Sequence, residues 1–407
     1  MKKRFTFRGR LMPVLAALGL ALGVCTAYAQ KKYSPGASDT EIKIGQAAPY
    51  SGPASAYGAI GKVVVAYMKK INDEGGINGR KVTVISLDDA FSPPKTVEQV
   101  RKLVESEQVL FVNTIGSSTT AAVRSYLNIR KVPQLFVSSG ATMWGDYKNF
   151  PYTMGFNATY RAEGVAFANY LLKEKPSAKV AVLYQNDDFG KDVLENFRQG
   201  LGDKAKSMII AEKSYELTDP TVDSQLVTLK GSGADAFLNL TTPKFAAQSI
   251  RKIREMGWTP LHIISNVSAS VGSVLTPAGL DNAKDIITSA YVKDPTDVQW
   301  ANDPGLNEWR AFMKKYYPEG NLGDWINVYA MAMAQAMVQT LKQCGDDLTH
   351  ENVMRQAANL KQLELPGLLP GIRLDTGPND YYPIEQLRLA RFNGAQWVLF
   401  GDLLSGK

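Results

Sequence analysis

Apolar and polar positions along this chain alternate between two rhythms. Around Ile42 and Ile44 the period is two, which reads as a strand running to Ala48. Pro49-Tyr50-Ser51-Gly52-Pro53 then forces a loop, because proline lacks a ladder donor and fixes its own φ. From Tyr57 through Val64, Tyr67, Met68 and Ile71 the apolar residues recur at helical spacing, and Gly75-Gly76 and Asn78-Gly79 end that helix. Val82, Val84 and Ile85 begin another strand, expected to run parallel to the first. In such sheets ligands bind beyond the carboxyl ends of the strands. The loop 50–57 is therefore the first candidate wall of a binding site.

The same unit recurs. A strand is expected over 110–114, a turn over 115–118 and a helix over 119–130; strand 134–137 leads into the polar loop 138–142. Ser117 and Ser118 read as a helix N-cap, which leaves free N–H groups and the positive helix end at the mouth of the sheet, where a carboxylate can be held. Capping alone would account for them, but the similar loop after the neighbouring strand favours a ligand role. A second series follows: helix 162–175, strand 180–184, loop 186–190, helix 191–201, strand 208–215, helix 221–230, strand 236–240, helix 243–256 and strand 261–265. Strands alternating with helices predict an α/β protein, and two halves of one rhythm predict two similar lobes, each a mostly parallel sheet flanked by helices. From 286 the pattern changes to a strand (286–290), helices at 304–317, 324–344 and 349–359, a Gly-Pro-rich stretch, and a hairpin of 384–392 and 395–400 about Asn393-Gly394. That hairpin is too small to stand alone and should extend an existing sheet.

At 407 residues the chain should form about two domains. Residues 1–29 read as a signal peptide: Lys2, Lys3, Arg4, Arg8 and Arg10 precede the apolar run 11–24, and Ala27-Tyr28-Ala29 fits a cleavage site. The run is shorter than the roughly 20 residues of a membrane span. Lipid anchoring at Cys25 is the alternative, but Val24 is larger than the residue expected before such a cysteine. Removing this segment takes away five of the 46 basic residues and leaves 41 against 39 acidic ones, a net charge of +2. The high basicity is thus partly a targeting signal, and no Lys/Arg block points to nucleic acid. Cys344 alone remains, so no internal disulfide is expected. A soluble protein outside the cytoplasm is therefore expected.

Other motifs carry no chemistry. Gly231-Ser232-Gly233-Ala234-Asp235-Ala236 resembles a dinucleotide loop but ends a helix and precedes a strand, the reverse of what that loop needs. His262 and His350 are isolated, and no metal site, cofactor or nucleophilic triad is expected. Asp88-Asp89 and Asp346-Asp347 read as turn and cap residues. Met331, Met333 and Met337 among alanines read as a buried helix.

IKIGQAAPYSGPASAYG at 42–58, NDEGGINGRKV at 72–82, the DDA of 88–90 before a helix, GSSTTAA at 116–122, VAVLYQNDDFGKD at 180–192 and the stretch 235–257, in this order and spacing, resemble the solute-binding proteins of bacterial ABC importers, of the branched-chain amino acid (Leu/Ile/Val) type. The resemblance covers essentially the whole mature chain. It implies a type I periplasmic-binding-protein fold of two lobes with three interlobe crossovers: lobe 1 from 41–158 and 290–378, lobe 2 from 159–289 and 379–407. It implies no enzyme but a carrier, which captures a small ligand in the interlobe cleft and delivers it to a permease in the inner membrane. Carried over by position, the ligand would meet Tyr57; Gly116, Ser117 and Ser118; Ser139, Gly140 and Ala141; Phe189; Thr241 and Thr242; and, on a late helix, Trp325 and Tyr329. Where the amino acid binders place a carboxylate against the ligand's ammonium, this chain has Asn266. A buried ammonium without a countercharge is costly, so the ligand is expected to be a hydrophobic or aromatic carboxylate. Asp187 or Asp188 could supply the missing charge, which keeps a branched-chain or other hydrophobic amino acid open. An exported α/β enzyme acting on a small carboxylate, for which no G-x-S-x-G elbow is present, and a sensor domain of the same fold are the readings from other classes.

Overall fold

The computed structural model describes residues 1–6 and 31–406. The expected cleavage site and Cys25 fall on residues 7–30, outside the described residues.

Two sheets form the cores of two lobes. The first is wholly parallel, with strands in the order Lys81–Asp88, Glu41–Ala48, Phe111–Thr114, Gln134–Val137 and Thr153–Gly155. The second has the order Ile209–Tyr215, Val180–Gln185, Ala236–Leu240, Leu261–Ile264, Ile287–Ala290, Gln386–Phe392 and Trp397–Ser405. It is parallel up to Ile287–Ala290, where the C-terminal hairpin joins antiparallel. Helices cover both faces of a parallel sheet, so its strands are apolar on both sides; every residue of Ala236–Leu240 is buried, as is most of Val180–Gln185. A two-residue parallel pair joins Lys32–Tyr33 to Asp347–Leu348.

The chain passes between the sheets three times, between 155 and 160, between 290 and 304, and between 377 and 386. The middle passage returns three helices to the first lobe. Of these, Trp325–Cys344 is the Met/Ala helix, and it is buried through Ala330, Ala332, Ala334 and Ala336, with Met333 Sδ accepting from Ser138 Oγ at 3.4 Å. The other pair that matters for the site is Tyr160–Glu174 against Asp188–Leu201. Gly164 and Gly200 lie in their contact, and a Cβ at Gly164 would come within 2.7 Å of the Phe197 amide nitrogen.

The helix that the resemblance places after Asp88-Asp89-Ala90 is Pro93–Arg101, which Pro93-Pro94 can open because proline is tolerated where the N–H has no partner. Two elements were not legible from the pattern. Strand Thr153–Gly155 has three residues, too few to show a period. The loop after Ile264 holds several short helical turns. Helix starts also move: Gly116, at φ +98°, precedes the helix Ser117–Ile129, so Ser117 and Ser118 are its first residues and not its cap.

Candidate functional site

A cavity lies between the lobes at the carboxyl ends of both sheets. From the first lobe it is lined by Tyr57, Ile60, Phe91, Ile115, Gly116, Ser117 and Ser138. The second lobe contributes Tyr160, Gln185, Phe189, Thr242 and Val267. Asn157 and, on the late helix, Trp325, Ile326 and Tyr329 complete it. Among the described residues no Asp, Glu, Lys, Arg or His lines it. The space is about 40 Å³ to the centre of a water-sized sphere, room for a few waters.

The helix Ser117–Ile129 starts at this wall with no side-chain cap, which leaves its first-turn amides to an anion. Ser117 Oγ and Ser139 Oγ are 2.8 Å apart. Ser139 is also fixed from behind: its Oγ accepts from the Trp144 indole at 2.9 Å and from the Ala141 amide at 3.2 Å. The two serines therefore differ. Ser117→Ala should change stability by less than about 1 kcal/mol, whereas Ser139→Ala leaves two buried donors without an acceptor and should cost about 2 kcal/mol. Denaturant melts of both variants check this.

Aromatic side chains supply the apolar wall. Tyr160 meets Phe189 edge-on at 5.3 Å between centroids, and Trp325 meets Tyr329 at 6.0 Å. Tyr329 donates to Asn157 Oδ1 at 2.6 Å. Tyr57 donates across the gap to the Val267 carbonyl at 3.1 Å. Further contacts hold the lobes together: the Thr142 amide and hydroxyl both donate to Asp192 at 2.7 Å, and Ser270 donates to Asp324 at 2.9 Å.

Of the positions expected from the sequence, Tyr57, Gly116, Ser117, Phe189, Thr242, Trp325 and Tyr329 meet at this cavity. Ser139, Gly140, Ala141 and Thr241 stand behind its wall. The Gly140 carbonyl accepts from the Tyr160 amide at 2.7 Å, and Thr241 Oγ1 donates to Asn239. Ser118 is half-buried on the helix start and does not line the cavity. Asp187 is the cap of its helix. It accepts from the Phe189 and Gly190 amides at 3.0 and 3.2 Å and from Gln185 at 2.6 Å, and it is not on the cavity wall.

Asn266 is held by a residue that the sequence reading passed over. Glu163 is wholly buried, and its Oε1 accepts from the Asn266 amide (2.7 Å), Asn266 Nδ2 (2.8 Å) and Ser289 Oγ (2.8 Å), while Oε2 accepts from Ser265 Oγ (2.8 Å). Burial raises its pKa above the usual carboxyl range, against the pull of these donors. A signal was there: Glu163 sits with Tyr160, Phe167 and Tyr170 at helical spacing, an acid on an apolar stripe. Phe91 was hidden because it sits at φ +57° in a turn after a strand, where no period operates.

Asn266 itself lines an adjoining chamber, with Ala269, Tyr291, Asp294, Trp300 and Trp397; Trp325 lies on the walls of both spaces. Asp294 accepts from the Thr296 amide and hydroxyl at 2.8 and 2.6 Å through Oδ1. Burial, opposed by those bonds and aided by Asp324 and Asp297, pushes its carboxyl up to about 6. A folded-state pKa above the unfolded one gives stability that is full below about pH 4 and lost as pH rises through 6. Asp294→Asn should therefore be more stable than the parent by about 1–2 kcal/mol at pH 7.5, with the gap closing at pH 4. Melting curves at the two pH values test it.

Among the described residues no helix is long and apolar enough to cross a membrane, and no group of three His, Cys, Asp or Glu is placed to hold a metal ion. A family model described as periplasmic binding protein matches residues 41–396. "Leu/Ile/Val-binding protein homolog 7" of Brucella suis biovar 1 (strain 1330) is 27% identical over 292 residues, covering 69% of this chain and 72% of that one. A branched-chain amino acid ABC transporter structure from Thermus thermophilus with bound valine superposes with a TM-score of 0.79 at 17% identity, over 90% of this chain and 96% of that one. A fatty acid ABC transporter substrate-binding protein from Thermomonospora curvata gives 0.76 at 19% identity, over 92% and 95%.

Proposed function

The chain belongs to the periplasmic binding protein family, and from that premise we propose that it is the extracytoplasmic solute-binding component of an ABC import system, carrying a small hydrophobic or aromatic carboxylate to an inner-membrane permease. It does so as a monomer exported by residues 1–29, with lobes divided near 158, 289 and 378. Capture is closure of the two lobes on the ligand, with no bond made or broken.

The uncharged lining carries the reading of the ligand. An α-ammonium shut into this cavity would meet no carboxylate, since Asp187 caps its helix and Glu163 already accepts from Asn266, Ser265 and Ser289. A carboxylate, by contrast, has the uncapped helix start at Ser117 and the Ser117 hydroxyl. Tyr57, Phe189 and Trp325 offer the apolar body its contacts.

Calorimetry with leucine, phenylalanine, 4-methylpentanoate and 3-phenylpropanoate tests this. The acids should bind at least about a hundredfold more tightly than the matching amino acids, the cost of an unpaired buried charge. Tight leucine binding with no binding of either acid would overturn it.

A further inference from the structure

The chamber beyond Trp325 lies where the second sheet's edge meets the middle crossover. Its walls include the indoles of Trp300, Trp325 and Trp397. Three buried polar atoms of its lining residues, Asn266 Oδ1, Tyr291 Oη and Asp294 Oδ2, have no hydrogen-bond partner among the described residues. Asn266 and Tyr291 are 3% and 1% exposed, so bulk water does not serve them. The orientation of the Asn266 amide is fixed, because its nitrogen must face the Glu163 carboxylate at 2.8 Å, which turns the oxygen away from it. Buried polar groups without partners cost about 1–3 kcal/mol each, and three beside one apolar space mark a place that a ligand group completes.

We propose that this chamber is a distal subsite which takes the far end of an elongated aromatic carboxylate and reads a hydroxyl on it. Two of the three atoms are acceptors and the third, the Tyr291 hydroxyl, can accept, so the group they need is a donor. A hydroxyl supplies that donor without the cost of desolvating a full charge, which an ammonium would carry into the chamber. The indoles suit an aromatic ring between the carboxylate and the hydroxyl. Trp325, which borders both spaces and meets Tyr291 edge-on at 6.2 Å, is the partition that turns aside to join them. This assignment presupposes that the first cavity holds the carboxylate.

Calorimetry with benzoate, phenylacetate, 3-phenylpropanoate and 4-phenylbutanoate, each with its para-hydroxy counterpart, separates the two ideas. Beyond one chain length the hydroxyl should tighten binding about tenfold, the effect of one buried hydrogen bond. Tyr291→Phe removes a hydroxyl without a partner, so the variant should fold; it should erase most of that gain and leave the unsubstituted acids unchanged. Ala290→Leu, which narrows the chamber, should weaken the longer acids and spare benzoate. A hydroxyl that brings no gain at any length, or a gain that survives Tyr291→Phe, overturns the distal subsite while the carboxylate reading stands. Failure of every acid to bind overturns the carboxylate reading itself.

Discussion

Glu163→Leu should destabilise the protein by roughly 4 kcal/mol, since four buried donors would lose their acceptor at once and each orphan costs about 1–3 kcal/mol. Those donors come from separate elements: Ser265 and Asn266 from the end of Leu261–Ile264, and Ser289 from Ile287–Ala290. The carboxylate therefore ties the start of the helix Tyr160–Glu174 to the strand ends that form the wall next to Val267. Glu163→Gln keeps one acceptor oxygen and should cost much less, about 1 kcal/mol. The two variants also differ from the parent in pH response. Burial raises the Glu163 pKa, so its contribution is full below the unfolded carboxyl pKa and declines as pH rises through the folded one. The glutamine variant should lack that decline. Thermal melts of the three proteins between pH 4 and pH 8 test this; a leucine variant as stable as the parent at all pH values would contradict the role given to Glu163.

Gly164→Leu should separate the helices Tyr160–Glu174 and Asp188–Leu201 and cost about 3 kcal/mol. A Cβ at this position would come within 2.7 Å of Phe197 N, 2.8 Å of Val193 O and 2.9 Å of Asn196 C, which are backbone atoms of the partner helix and cannot rotate away. The consequence reaches the cavity, because each helix opens with a cavity aromatic, Tyr160 on one and Phe189 on the other, paired at 5.3 Å. Ligand affinity should fall with stability in this variant. An exposed control such as Gly231→Ala, which meets nothing within 4 Å, should leave affinity unchanged. Equal affinities in both would show that the helix contact does not position the site.

The site was half legible. Tyr57, Ser117, Phe189 and Thr242 stand at the starts of helices that follow strands, beside turns marked by glycine, serine or a break in period, and such helix starts face the carboxyl ends of a parallel sheet wherever it is built. Glu163, Asn157 and Gln185 lie within or beside regular elements, where the pattern speaks of packing and not of ligands. Ser139 does stand beside Ser117, hydroxyl to hydroxyl at 2.8 Å, yet its own hydroxyl serves Trp144 and Ala141.

By itself the sequence determined the alternation of strands and helices, the parallel sheets and the burial of the Met/Ala helix, because period and turn chemistry are local properties of the chain. Tertiary structure alone decided which strand ends Glu163 braced and that Asn266 looked into a chamber beyond Trp325. Those outcomes depend on contacts between residues a hundred or more positions apart, such as Glu163 with Asn266 and Tyr57 with Val267. No local pattern encodes such contacts; the first exists only once the helix and strands of the second lobe have packed, and the second only once the two lobes face each other.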